Sequence, residues 1–119
     1  MQVGIIGSEN LNISVDKFIP SDASYILTGD GEGINKSVEK YARERNLPVR
    51  VFKPDFQKFG KNAEAIRNKH LSVQADRLII IWDGKSDILK TTIEYAKSIR
   101  KQIRVFLIKS EEGKYNTNV

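Results

Sequence analysis

Residues 77–86 read Arg77-Leu78-Ile79-Ile80-Ile81-Trp82-Asp83-Gly84-Lys85-Ser86. An apolar run from Leu78 to Trp82 is followed at once by a carboxylate, a glycine and two polar residues. Alternating polarity marks a strand with one wet face. An unbroken apolar run closed by a turn marks a strand covered on both faces, as in a parallel sheet. The run is far shorter than the about 20 apolar residues that span a bilayer as a helix. In open α/β sheets ligands sit beyond the carboxyl ends of the strands, so the loop Asp83-Gly84-Lys85-Ser86 is the first place to look for a site.

Outward from this strand, Val3–Ile6, Tyr25–Leu27, Val49–Phe52 and Arg104–Ile108 also read as strands. Helix-period segments separate them. Ile34, Val38, Tyr41, Ala42 and Arg45 form one face of a helix from about Asn35 to Arg45. Asn46-Leu47-Pro48 stops it, because proline disfavours helical geometry in the residue before it. A second helix is predicted from about Asn62 to Leu71, with Ala63, Ile66 and His70 or Leu71 turned inward. A third is predicted from about Ile88 to Lys101, with a stripe of Ile88, Leu89, Thr92, Ile93, Ala96 and Ile99 and a cap at Ser86 or Asp87. Between the first two strands, Ile13, Val15, Phe18 and Ile19 suggest a short helix before Pro20. The expected fold class is α/β: a single Rossmann-like three-layer α/β/α domain over residues 1–109. Its sheet is mainly parallel and five-stranded, with right-handed crossovers. Residues 110–119 read as a polar, frayed C-terminal tail.

The chain has 119 residues, which suits one domain with a core of its own. It contains no Cys, which excludes disulfides, thiol nucleophiles and thiolate metal sites, and the single His argues against a histidine-rich metal centre or a catalytic triad. No metal and no cofactor are expected. The formal charge of +5 comes from basic residues interleaved with acidic ones. Such dispersed charge reads as a solvated surface, with nucleic acid as an alternative partner. The N-terminus lacks the basic and long apolar regions of a signal peptide, so a cytoplasmic location without a membrane partner is expected.

Four loops follow strands. After the first comes Gly7-Ser8-Glu9-Asn10, where a glycine permits a tight turn or close backbone approach. After the second comes Thr28-Gly29-Asp30-Gly31-Glu32-Gly33-Ile34-Asn35, three glycines ahead of a helix. Such a loop resembles a phosphate cradle, but the spacing matches neither a dinucleotide fingerprint nor a P-loop, and Asp30 and Glu32 repel an anion. The same two carboxylates could accompany a divalent cation brought by a ligand, or be solvated. After the third strand comes a helix carrying Arg67 and Asn68, where Arg67 reads either as a fork for an anion or as a surface residue. After the fourth, Asp83 could accept hydrogen bonds from a ribose or base, and Ser86 could donate to phosphate or cap the next helix. Trp82 reads as core.

Taken together, Ile5-Ile6-Gly7-Ser8, Thr28-Gly29 with Gly33, Phe59-Gly60-Lys61-Asn62-Ala63 with Ile66-Arg67-Asn68, Ala75-Asp76 and Trp82-Asp83-Gly84-Lys85-Ser86 resemble the small YspA-like branch of the SLOG superfamily. This is the Rossmann-like group named for Smf/DprA and the "lonely guy" proteins. The resemblance runs from about Val3 to Ile108. It implies a pocket at the strand ends for nucleotides or nucleotide derivatives, a ligand-sensing role, and relatives that often self-associate. By position, the ligand-binding residues would be Gly7, Ser8, Gly29, Gly33, Asn35, Arg67, Asn68, Asp83, Gly84 and Ser86. No catalytic residue is expected.

The chain departs from the family pattern at Glu9, where an Arg is usual, and at Asp30, Glu32 and Asn35, where a Gly, an Arg and an Asp are usual. Ile88 and Leu89 stand where relatives have a Gly-Thr pair. These exchanges weaken a phosphate site. The primary expectation is a non-catalytic nucleotide-type binding domain. One alternative is a nucleic-acid or protein interaction module. Another is a nucleoside monophosphate phosphoribohydrolase of the "lonely guy" type, whose P-G-G-x-G-T-x-x-E motif is absent and whose Glu position falls at Thr92.

Overall fold

The computed structural model describes residues 1–109 and the short strand at 115–117. In chain order the elements are β1 (Gln2–Gly7), a 3-10 turn (Asp16–Phe18), β2 (Tyr25–Gly29), α1 (Ile34–Glu44), β3 (Val49–Phe52) and α2 (Phe56–Phe59). A second 3-10 turn (Gly60–Asn62), α3 (Ala63–Gln74), β4 (Arg77–Trp82), α4 (Asp87–Ser98), β5 (Ile103–Ile108) and β6 (Tyr115–Thr117) follow. The sheet order is β3-β2-β1-β4-β5-β6. The first five strands in that order are parallel, as their sequences predict. β6 pairs antiparallel to β5, with Leu107 opposite Asn116. It falls within the segment read as a frayed tail, and a polar three-residue strand carries no sequence signal. The rest of that tail, residues 110–114 and 118–119, lies outside the described residues.

The apolar run in β4 divides its side chains between two cores. Ile79 and Ile81 join Val3, Ile5, Ile26, Ile34, Val38 and Ala42 on the α1 side of the sheet. Leu78 and Ile80 join Ile6, Leu27, Leu71, Leu89, Ile93 and Ala96 under α3 and α4. This is why the run does not alternate: both faces of β4 are dry.

The connection from β1 to β2 has a single 3-10 turn where the apolar spacing suggested a helix. Leu11, Val15, Phe18 and Ile19 are nevertheless buried in the α1-side core. The crossover covers the sheet with individual side chains rather than with a helical face. On α3 it is Leu71, and not His70, that is buried; the imidazole is exposed. Among the described residues no helix is long and apolar enough to cross a membrane.

β1 sits between β2 and β4, so the chain builds outward from it in both directions, and strand order reverses between β1 and β4. Gly7 at the end of β1 is in register with Ile81. The carboxyl ends of these two strands open the crevice in which α/β sheets of this type hold ligands.

Candidate functional site

A cavity of about 230 Å³ lies at these strand ends. Its lining comes from the ends of β1 and β4, the glycine loop and first turn of α1, one face of α3 and the start of α4. Of the residues predicted from sequence, Gly7, Ser8, Asn35, Arg67, Asn68, Asp83 and Ser86 line it. Gly29, Gly33 and Gly84 do not.

Each of those three glycines has a supporting role. A Cβ at Gly29 would lie 2.8 Å from Arg67 Nη1 and 2.9 Å from Asn35 Nδ2, so only glycine lets both side chains approach the strand end. Gly33 has φ 65°, a left-handed conformation that glycine adopts without strain, and a Cβ there would run into the Ser8 and Glu9 carbonyls. Gly84 faces Leu107.

The polar lining is a connected web. Ser8 Oγ accepts from the Asp83 amide at 2.9 Å, and the Ser8 amide donates to the Ile81 carbonyl at 3.0 Å. These bonds tie the end of β1 to the end of β4. Asp83 Oδ1 accepts from the amides of Lys85 at 2.9 Å and Ser86 at 3.1 Å, closing the loop that begins α4. Partial burial would raise the Asp83 pKa, but these amides and the Ser8 hydroxyl outweigh it and hold the carboxyl below its ordinary range. Ser86 caps α4 by accepting from the Leu89 amide at 3.3 Å. Trp82 packs half-buried and donates from Nε1 to the Ser86 carbonyl.

Arg67 is buried, with 7% of its surface exposed, so the surface alternative fails for it. Its Nη1 donates to the Asp30 carbonyl at 3.0 Å and the Phe52 carbonyl at 3.2 Å. Its Nε donates to Asn68 Oδ1 at 2.7 Å. The guanidinium thus clamps the ends of β2 and β3. Burial lowers its pKa, while the charges of Glu64 and Asp30 oppose that shift and favour the cation. Nη2 lies 3.9 Å from Glu64 and makes no hydrogen bond among the described residues. Asn68 is committed to structure as well: besides accepting from Arg67, it donates to Thr92 Oγ1 at 3.2 Å. Thr92 in turn donates to the Ile88 carbonyl at 2.9 Å.

Asn35 is different. Its Oδ1 accepts from the Gly7 amide at 3.1 Å, which fixes the oxygen end of the side chain. The Nδ2 end has no partner among the described residues, although the residue is only 7% exposed.

Sequence reasoning missed Glu64, Asn10 and Lys85 as lining residues. For Glu64 a signal existed: it stands one helical turn before Arg67. With Glu9, Asp30, Glu32 and Asp83 it brings the carboxylates of the lining to five, against the two cations Arg67 and Lys85. Among the described residues no group of three His, Asp or Glu side chains is arranged to hold a metal ion.

No family model matches the chain, and neither a curated protein nor a solved structure matches it.

Proposed function

We propose that the chain is a non-catalytic binding domain, of ligand-sensing type, for a nucleotide or nucleotide-derived small molecule. The observation that carries this reading is the place of the cavity, at the point where strand order reverses, floored by Asn35 and Arg67. The resemblance of the Gly7-Ser8, Arg67-Asn68 and Asp83-Gly84 segments to the SLOG superfamily supports the ligand class. The volume of about 230 Å³ lies below the about 300–1,000 Å³ of cavities for drug-sized ligands, which suits one nucleoside-sized unit rather than a dinucleotide.

Binding is favoured over catalysis by the state of the polar groups. Asp83 is held as a carboxylate by backbone amides, which makes it a poor base. Thr92, at the position of the phosphoribohydrolase Glu, is buried and bonded to Asn68 and Ile88, and Glu94 is exposed on the helix beyond it.

A thermal-shift screen of nucleosides, nucleotides and dinucleotides tests the reading when run on wild type and Gly31→Phe. Gly31 is exposed, and a Cβ there would rest 3.5 Å from Asn35 Nδ2, so a phenyl group at this position plugs the mouth while the fold is kept. A ligand at about 100 times its Kd stabilises by about 2.7 kcal/mol, a shift of several degrees in a domain of this size. The expected result is a shift in wild type that Gly31→Phe lacks. No shift with any compound contradicts the reading and favours the alternative of a nucleic-acid or protein interaction module.

A further inference from the structure

The cavity has two chemically distinct zones. On its floor, Asn35 and Arg67 line the cavity side by side, packed so closely over the strand end that Asn35 Nδ2 and Arg67 Nη1 both lie within 2.9 Å of the point where a Cβ at Gly29 would sit. Asn35 is more than nine-tenths buried, and its amide NH2 has no partner among the described residues. Arg67 Nη2, in a residue buried to the same extent, has only Glu64 at 3.9 Å. Neither nitrogen is sealed from solvent, so both are open donors on otherwise buried side chains. The floor therefore calls for an acceptor. Around it, Glu9 and Glu32 are exposed and Glu64 is half-buried, all three lining the same cavity. Carboxylates only accept hydrogen bonds, so the rim calls for donors and repels negative charge.

We propose that this cavity selects the unphosphorylated form of its ligand: a nucleoside whose base presents carbonyl or ring-nitrogen acceptors to Asn35 and Arg67, and whose ribose hydroxyls donate to the rim carboxylates. The inference rests on the reading above that the ligand is nucleotide-derived, and narrows it. A phosphate monoester adds about 1.5–2 negative charges at neutral pH. In the lining, five carboxylates already face two cations, one of which, Arg67, is held by backbone carbonyls. Lys36 pairs with Glu32 at 3.6 Å, which leaves the exposed Lys85 to answer a phosphate, so a further negative group at the rim meets net repulsion from the remaining carboxylates.

Isothermal titration calorimetry of adenosine, guanosine, cytidine and uridine, each against its 5′-monophosphate without added metal, tests the proposal on wild type and Glu9→Gln/Glu32→Gln. Both substituted residues are exposed, so the double variant is expected to fold as wild type does. One nucleoside should bind wild type at least about tenfold more tightly than its monophosphate, and the double variant should narrow that ratio severalfold. A monophosphate that binds as well as its nucleoside overturns the selectivity while leaving nucleotide binding standing. A ratio unchanged in the double variant overturns the role of the rim. Absence of binding by all eight compounds overturns both this proposal and the reading on which it rests.

Discussion

Removing the guanidinium of Arg67 leaves the Asp30 carbonyl and the side-chain oxygen of Asn68 without a donor in a buried or partly buried setting, while the Phe52 carbonyl keeps the Asp30 amide. Each unmet buried group costs about 1–3 kcal/mol, so Arg67→Ala should lose about 3 kcal/mol of stability in urea denaturation. Arg67→Lys should also be destabilised, because a single ammonium cannot reproduce the fork. Equal stability of the alanine variant would contradict the clamp. At Asp83 the sign of the pH effect follows from a folded-state pKa held below the unfolded one. Its contribution is present above the unfolded value, near 3.9, and is lost as pH falls through the lower folded value. Asp83→Asn should therefore cost about 1 kcal/mol at neutral pH and flatten the acid limb of the stability profile below about pH 4. An acid limb identical to wild type would remove the loop-closing role from this carboxylate. The residue scale also shows what sequence leaves hidden. The sequence leaves Arg67 open between an anion fork and a surface residue, because two of its three partners are backbone carbonyls, which no side-chain pattern announces.

Of the three long helices, α1 and α4 stop in the same way, whereas α3 passes directly into extended backbone at Ala75. Asn46 has φ 54° after α1, and Arg100 has φ 57° after α4. In each case the next amide reaches back to the third residue from the helix end: Leu47 to Ala42 and Lys101 to Ala96, both at 2.9 Å. These are Schellman endings, which favour glycine at the left-handed position. Asparagine tolerates it; arginine carries the Cβ penalty. Arg100→Gly should raise stability by about 1 kcal/mol, measurable as a higher urea midpoint, and a lower midpoint would contradict this account of the helix end. The ending after α1 was legible as Asn46-Leu47-Pro48, although the left-handed turn, and not the proline alone, terminates the helix. Strands were legible because Ile and Leu runs have few other uses at that length. The first crossover was not, because Leu11, Val15, Phe18 and Ile19 have helix-like spacing yet are buried by an irregular path in which only Asp16–Phe18 turns.

Across the whole molecule, charge and site run in opposite directions. The chain is basic by +5, while its cavity is lined by five carboxylates and two cations. Composition, which reads as a solvated surface with an anionic partner as the alternative, therefore says nothing of the acidic lining that the tertiary arrangement gathers at this one place. The site was legible in outline because the loops after parallel strands converge wherever strand order reverses, which brings Ser8, Asn35, Arg67 and Asp83 together from distant parts of the sequence. Its chemistry was not, because whether Asn35 or Asn68 has a donor left for a ligand depends on neighbours that only folding supplies. The central claim, that this cavity is where a nucleoside-type ligand binds, is tested most directly by amide chemical-shift mapping with the tightest-binding nucleoside as probe. The account predicts saturable shifts at Gly7, Ser8, Gly31, Asp83 and Ser86, with Arg100 and Lys101 unmoved. Shifts confined to the separate groove lined by Lys17, Arg77 and Arg104, or none at saturating nucleoside, would contradict it.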